Sequence, residues 1–463
     1  MRIAAKAYDR VLILSLAAIY ILLQITRWEF LSDALGVLVL VTVAVLLPRL
    51  KGMTRILTAC FLIGGALLMT ASGAGPREWF EAASVNATVA TLFAIAPLFG
   101  IPVRSRKYES ALLGFYENRL TSPAGFFLGS QFLTMLMGVF INVGSIPVVY
   151  HLASVHTRLA KPGMLANALN RGFAGAIFWS PYFAAMALVT TALDLPWTAI
   201  LPYAIGLSLL SGTVSLLVEL PSLRKGAAEE GRRDEGEPRK SGPSEQSAPL
   251  AGAGKTLTLL AAYLASAIIL VVALEHWTRL PIVLATCAAA LIYPFLWCLG
   301  TKEMAAYRAA FREHLTVTVP SLRKEITLFL AAGFFSGAIA GTSLGEWIPK
   351  VLDAIPLPEA VTLAVLTVAL ITVTSLIGLH PIVLVTILAT GVDPASVGVS
   401  PLFLALLLLG SWAISNPVSP ASAVNNLLSG LLGKDVFKLA AGNYKYVAVM
   451  AVLLPACVLA LRL

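Results

Sequence analysis

The sequence predicts an all-α polytopic membrane protein of about eleven transmembrane helices plus two re-entrant hairpins, arranged as a leading helix and an inverted five-helix repeat. Three observations carry that expectation. Of 463 residues, 58% are hydrophobic and 12% charged, with a mean hydropathy of +0.85, and apolar runs near the ~20 residues that cross a bilayer recur throughout. Several of those runs are interrupted by proline and small polar residues, which a lipid-facing helix cannot satisfy. The interruptions return in the same order in the second half of the chain.

Taken in order, the first run (residues 11–25) follows Arg2, Lys6 and Arg10 without a small-residue cleavage site, so it reads as a retained leading helix occupying residues 1–30. The first repeat, 31–220, opens with spans at 34–47, 56–70 and 85–103, then a basic amphipathic stretch at 104–120 suited to the membrane interface. Residues 123–160 are too long for one untilted span and polar at their middle (FINVGSIP), which predicts two half-helices meeting at a tip near Asn142. A broken helix at 166–193 carries FWSP, and a span at 197–218 closes the unit. Residues 221–254 turn polar, charged and rich in Gly, Pro and Ser, the composition of a disordered cytoplasmic linker. Gly254-Lys255-Thr256 imitates the end of a phosphate-binding loop, but Pro249 stands where that loop needs glycine and no strand precedes it.

The second repeat, 255–463, runs through spans at 257–274 and 282–299, an interfacial stretch at 302–324 and a span at 326–340. A hairpin at 358–390, a broken helix at 402–432 and a last span at 436–461 complete it. Its core is GSWAISNPVSPASAVNNLLSG over 410–430, where two prolines and eight Ser or Asn interrupt an apolar segment. Gly144-x-x-Pro147 recurs as Gly378-x-x-Pro381, Thr91-Leu92-Phe93 as Thr327-Leu328-Phe329, and Ser180-Pro181 as Asn416-Pro417, at offsets of 234 to 236 residues. Corresponding interruptions in two halves are the sequence mark of a transporter binding site.

A formal charge of +9 could signal nucleic acid, but the basic residues lie in short loops, which points to the anionic leaflet of a membrane and to no nucleic-acid partner. With the N-terminus cytoplasmic, basic loops at 49–55, 104–119, 156–161, 302–324 and 434–438 all fall inside, while the opposite loops carry Glu29, Glu78, Asp194 and Glu275. This predicts a multi-pass protein of the cell inner (plasma) membrane. Cys60, Cys287, Cys298 and Cys457 lack metal spacing and read as small core residues. The spans are read as free of Asp and Glu near mid-membrane, which argues against a cation pump with a carboxylate relay. No acid, base or metal cluster suits a membrane enzyme, so no catalytic residue is assigned.

In the order of its spans, hairpins and broken helices, nearly the whole chain resembles the ion transporter superfamily, particularly the divalent anion/sodium symporters. Those carry Ser-Asn-Thr at both hairpin tips; here the tips read Asn142-Val143-Gly144-Ser145 and Ser375-Leu376-Ile377-Gly378-Leu379-His380. The resemblance implies an elevator-type secondary carrier, a homodimer, and a solute site between tips and breaks. The candidate ligands are Asn142, Gly144 and Ser145, Ser180 and Pro181, Ser375, Gly378 and His380, and Ser415, Asn416, Ser419 and Asn425. Neutral donors and positive half-helix ends suit a small organic anion or a polar solute. Unwound carbonyls suit Na+ near Asn142 and Ser145 and near Ser375 and Gly378, with no other cofactor. A channel, a uniporter or an inorganic-ion carrier of the same fold is the alternative. His380 reads as an imidazole bonded to backbone, with proton coupling as the competing role. His151 reads as structural and Arg171 as an interfacial anchor.

Overall fold

The computed structural model describes residues 2–156, 159–236, 253–340 and 355–461, and among them every regular element is a helix. Helices α1 (Arg2–Thr26), α2 (Glu29–Leu46) and α3 (Gly52–Ala71) follow one another by short connections. The next segment is interrupted twice where one span over 85–103 was expected. Helices α4 (Pro76–Ser84) and α5 (Ala87–Ile95) separate at Val85 and Asn86, and a 3-10 turn (Ala96–Phe99) precedes α6 (Gly100–Val103). Pro97 removes a helical donor, and the Asn86 amide donates to Phe329 O at 2.9 Å, tying its bend to a helix of the second half.

Helix α7 (Arg106–Arg119) leads to α8 (Pro123–Ile141), which starts where Ser122 Oγ accepts from Gly125 N–H at 3.1 Å and Pro123 takes the first helical position. A 3-10 turn (Asn142–Gly144) reverses the chain into α9 (Ser145–Ala153), which packs back on α8. His156, past the end of α9, stands edge-on to Phe126 near the start of α8 at 6.0 Å, so the two ends of this segment lie together. Helices α10 (Pro162–Trp179) and α11 (Ala184–Ala192) form the next segment, and α12 (Trp197–Gly236) the last of the half. Helix α12 continues 16 residues into the stretch 221–254 read as linker, because Leu, Ala, Glu and Arg there favour helix; residues 237–252 lie outside the described residues.

The second half comprises α13 (Ala253–Thr278), α14 (Ile282–Gly300), α15 (Met304–Glu313), a π-helical turn (His314–Thr318), α16 (Val319–Ser321) and α17 (Arg323–Ala340). After the undescribed 341–354 come α18 (Glu359–Leu376), α19 (Ile382–Gly391), α20 (Pro401–Ser415), α21 (Ala423–Leu432), α22 (Val436–Ala441) and α23 (Tyr444–Ala460). Helices α18 and α19 do not pair as α8 and α9 do. The former packs on α20 and α23, the latter on α17, α11 and α20. Ser336 on α17 meets Thr386 and Thr390 on α19.

Eleven described segments are long and apolar enough to cross a membrane. They include Pro123–Ala153 and Glu359–Leu376, whereas the 17-residue Tyr444–Ala460 is shorter than the rest. The helices gather into two groups. Helices α1 to α5 pack with α13, α14 and α17; α8, α10, α12, α18, α20 and α23 form the other. At the centre of the second group α20 is buried continuously from Phe403 to Ser415. Lipid tails are as apolar as leucine, so close van der Waals fit holds such a helix in place. Gly172 serves that fit on α10, since a Cβ there would come within 2.3 Å of Gln131 O on α8.

Three acidic side chains are buried at the ends of spans, just outside the predicted runs 11–25, 197–218 and 257–274. Glu219, Asp9 and Glu275 are all buried in helices. Asp9 pairs with Arg49 and with Arg323 (3.2 Å), and Glu275 accepts from Trp197 N–H at 2.9 Å. Arg171 is no interfacial anchor: it is 1% exposed and paired with Glu219 at 3.0 Å. Hydropathy windows hide such residues because each is one charge among many apolar neighbours, neutralised only by a distant partner.

Candidate functional site

The chemistry gathers at the interruptions. At the first, Asn142 adopts φ 49° and ψ −134°, outside the left-handed helical region that asparagine tolerates and strained for a residue with a Cβ. Its carbonyl accepts from Ser145 Oγ at 2.8 Å. Helix α10 ends at Ser180 in extended backbone (φ −68°, ψ 128°), and Pro181 follows without an N–H. Ser180 Oγ accepts from Tyr182 N–H (3.2 Å) and donates to Val139 O (3.4 Å), so this break rests against the last turn of α8. Arg104 also reaches the tip, close enough that a Cβ on Gly144 would lie 2.9 Å from its Nη2. Asn142, Gly144, Ser145, Ser180 and Pro181 thus share one locus with a guanidinium.

The second locus combines the turn after α18 with the break after α20. Gly378 N–H donates to Ser375 O and Leu379 N–H to Thr374 O, each at 3.0 Å, and Gly378 stands at φ 94°, where a Cβ is strained. The Pro420 ring faces it. His380 Nδ1 accepts from Ile382 N–H (3.2 Å), which leaves the proton of the neutral ring on Nε2, and the ring stands edge-on to Phe329 and Trp412 at 5.7 Å each. Beyond Ser415, whose hydroxyl donates to Trp412 O, the chain tightens to a 3-10 turn (Asn416–Val418) and unwinds to Ser422. Ser422 Oγ donates to Asn416 Oδ1.

Asn425 locks that unwound stretch. Its amide donates to Pro417 O (3.0 Å) and Ser419 O (2.9 Å), while its Oδ1 accepts from Asn170 on α10 (2.8 Å). The same region is held from behind by Asn443, which accepts from Arg171 Nε at 2.9 Å, and Arg171 donates further to Ser215 O, Gly442 O and Glu219. A cation at this break would have to displace the Asn425 amide from both carbonyls, and one at the first tip would sit beside the Arg104 guanidinium. Among the described residues, no three His, Cys, Asp or Glu side chains group as metal ligands.

Four buried polar atoms around these loci have no hydrogen-bond partner among the described residues: Ser375 Oγ, Ser419 Oγ, Tyr182 OH and Asn170 Oδ1. Each such group costs about 1–3 kcal/mol if left unpaired. The Asn170–Asn425 bond and the packing of α10 on α20 join the first broken helix to the second break, but Asn170 lies ten residues before Ser180, about 15 Å along α10; the helices of the first tip, α8 and α9, make at most marginal contact with α18 or α19. His151 lies apart, exposed, 3.7 Å from Glu109. The sequence reading did not select Arg104, Asn170 or Asn443. Asn170-Arg171, adjacent polar residues inside an apolar helix, was the available signal.

No family model matches the chain, and no curated protein matches it. Among solved structures it is similar to the YdaH transporter of Alcanivorax borkumensis, whose crystal structure is described as revealing an unusual topology. The likeness has a TM-score of 0.55 at 16% identity and spans 86% of this chain and 98% of that one. At that identity the likeness concerns the fold: this chain is a multi-pass membrane protein with the fold of a membrane transporter.

Proposed function

We propose that the protein is an elevator-type secondary active transporter for a small organic anion or polar solute, with Na+ or H+ as the coupling cation. The observation that carries this reading is the meeting of two broken helices through Asn170 and Asn425 beside buried, unpartnered hydroxyls of Ser375 and Ser419. Such hydroxyls offer donors to a solute that sheds its water. Arg104 at the first tip and the N-terminal end of α9 favour an anion. The helices gather into two groups bridged by α11 and α19, and on this reading one group moves against the other. This is a carrier and not an enzyme on our reading, and a member of the ion transporter superfamily resembling the divalent anion/sodium symporters.

The inverted repeat belongs to the same proposal. Phe93 and Phe329, which an offset of 236 residues equates, stand 5.1 Å apart, as residues near an axis relating two halves would. The side assignment has support as well: Asp9 joins Arg49 and Arg323, three groups assigned to the cytoplasmic face, and Glu275 meets the start of α12 just after Asp194, both assigned to the opposite face. Segments 123–160 and 358–390 then enter and leave as re-entrant hairpins from opposite faces of the inner membrane. A homodimer is the expected assembly. Proteoliposome uptake by Asn416→Ala tests the site: loss of saturable uptake in a folded variant supports it, and unchanged uptake removes it.

A further inference from the structure

Arg10 of α1 and Arg308 and Arg312 of α15 line one cleft of about 640 Å³, a volume typical of small-molecule sites. Arg308 and Arg312 are four residues apart and share a helix face, and the π-helical turn that follows brings Leu315 and Thr316 into the same lining. Among the described residues none of the three arginines forms an ion pair: Asp9 pairs with Arg49 and Arg323 and Glu303 with Lys107, while Glu313, exposed beside Arg312, forms no ion pair with any of them. The remaining wall is apolar. Tyr307 and Phe311 stack at 5.8 Å and 17°, and Leu315 extends them.

Three unpaired guanidiniums beside an aromatic and aliphatic wall recognise an amphiphile with an anionic head. Guanidinium holds a phosphate diester through charge-assisted hydrogen bonds, and an acyl chain lies against the rings and Leu315. Free phosphate would leave that wall in water. A second copy of the chain would set three more arginines against these three, a like-charge contact that costs affinity. We propose that this cleft is a binding site for an anionic diacyl phospholipid, held by Arg10, Arg308 and Arg312. It is independent of the transported solute and uses no residue of the candidate transport site.

Native mass spectrometry of the full chain released from neutral detergent tests it, titrated with phosphatidylglycerol, phosphatidylcholine or inorganic phosphate. Wild type should retain phosphatidylglycerol over phosphatidylcholine. The Arg10→Gln, Arg308→Gln and Arg312→Gln variants should each bind it roughly fivefold more weakly, and the triple variant about 100-fold. Arg55→Gln, an exposed arginine outside the cleft, should bind as wild type. Undiminished phosphatidylglycerol binding in the triple variant overturns the proposal, as does equal retention of the zwitterionic lipid. Displacement by inorganic phosphate alone would reassign the site to a free anion, and loss of a dimer without loss of lipid would reassign it to a second copy. Arg308 and Arg312 are exposed, so their single variants carry the test should the triple variant fail to fold.

Discussion

Removing one half of the buried Arg171–Glu219 pair should unfold the second helix group far more readily than removing both halves. Arg171 is 1% exposed and donates to Asn443 Oδ1, Ser215 O, Gly442 O and Glu219 Oε2 at 2.9 to 3.2 Å. In Arg171→Met the Glu219 carboxylate keeps one described donor, Asn167 Nδ2 at 3.2 Å, and stranding a buried charge costs about 3–5 kcal/mol. Glu219→Gln keeps a hydrogen-bonding oxygen but leaves the cation among neutral acceptors, so its cost should fall at about 3 kcal/mol, the lower end of that range. The double variant buries no charge and loses mainly hydrogen bonds, about 1 kcal/mol each. A coupling energy of at least about 2 kcal/mol is therefore expected. Reversible unfolding of the four proteins in mixed micelles measures it. Additive losses, or single variants within about 1 kcal/mol of wild type, would refute a structural ion pair at this position.

Asn425→Ala should destabilise by about 1–3 kcal/mol, chiefly by orphaning the Asn170 amide, since Pro417 O keeps Asn443 Nδ2 (3.5 Å) and Ser419 O keeps Ser422 N–H (3.1 Å); the same unfolding assay decides. Gly378→Ala places a Cβ at φ 94° and should cost about 1–3 kcal/mol, a shift to be read as a lowered Tm alongside reduced uptake. His314 contacts Ala94 O at 2.8 Å, and burial, helped by nearby Arg104, holds its pKa below the ordinary 6.5. The unfolded chain therefore protonates first: the stability is fully present above pH 6.5 and is lost as pH falls from there toward the lower folded value. Thermal scans should show wild type losing more Tm between pH 7 and 5 than His314→Gln, and parallel profiles would contradict this. His380→Gln should keep uptake and its pH profile, because Nδ1 serves as a local backbone acceptor; abolished accumulation with intact solute exchange would instead assign it to proton coupling.

The fold class was legible because it rests on composition and on the length of apolar runs, which local sequence reports directly. Proline made the interruptions at Pro181, Pro417 and Pro420 visible, since each removes a backbone donor whatever surrounds it. Side-chain partners were not visible. Asn170 and Asn425 lie 255 residues apart and Arg171 and Asn443 272 apart, and their role exists only once α10 crosses the second break. The helical continuation of α12 beyond Val218 was missed because polar, charged composition was taken for disorder, although Leu, Glu, Arg and Ala also favour helix. The bend at Asn86 carried one polar residue and no proline, and its cause is a carbonyl on α17 that local sequence does not contain.

The central claim, a carrier whose site is built by the two breaks, is tested most directly by counterflow. Proteoliposomes are preloaded with unlabelled succinate, citrate or another small carboxylate and diluted into the labelled compound at trace level. The account predicts a transient, saturable overshoot of label with at least one such anion, abolished in folded Asn416→Ala and preserved in Arg55→Gln. Linear, non-saturating flux without overshoot, or an overshoot undiminished in Asn416→Ala, would contradict it.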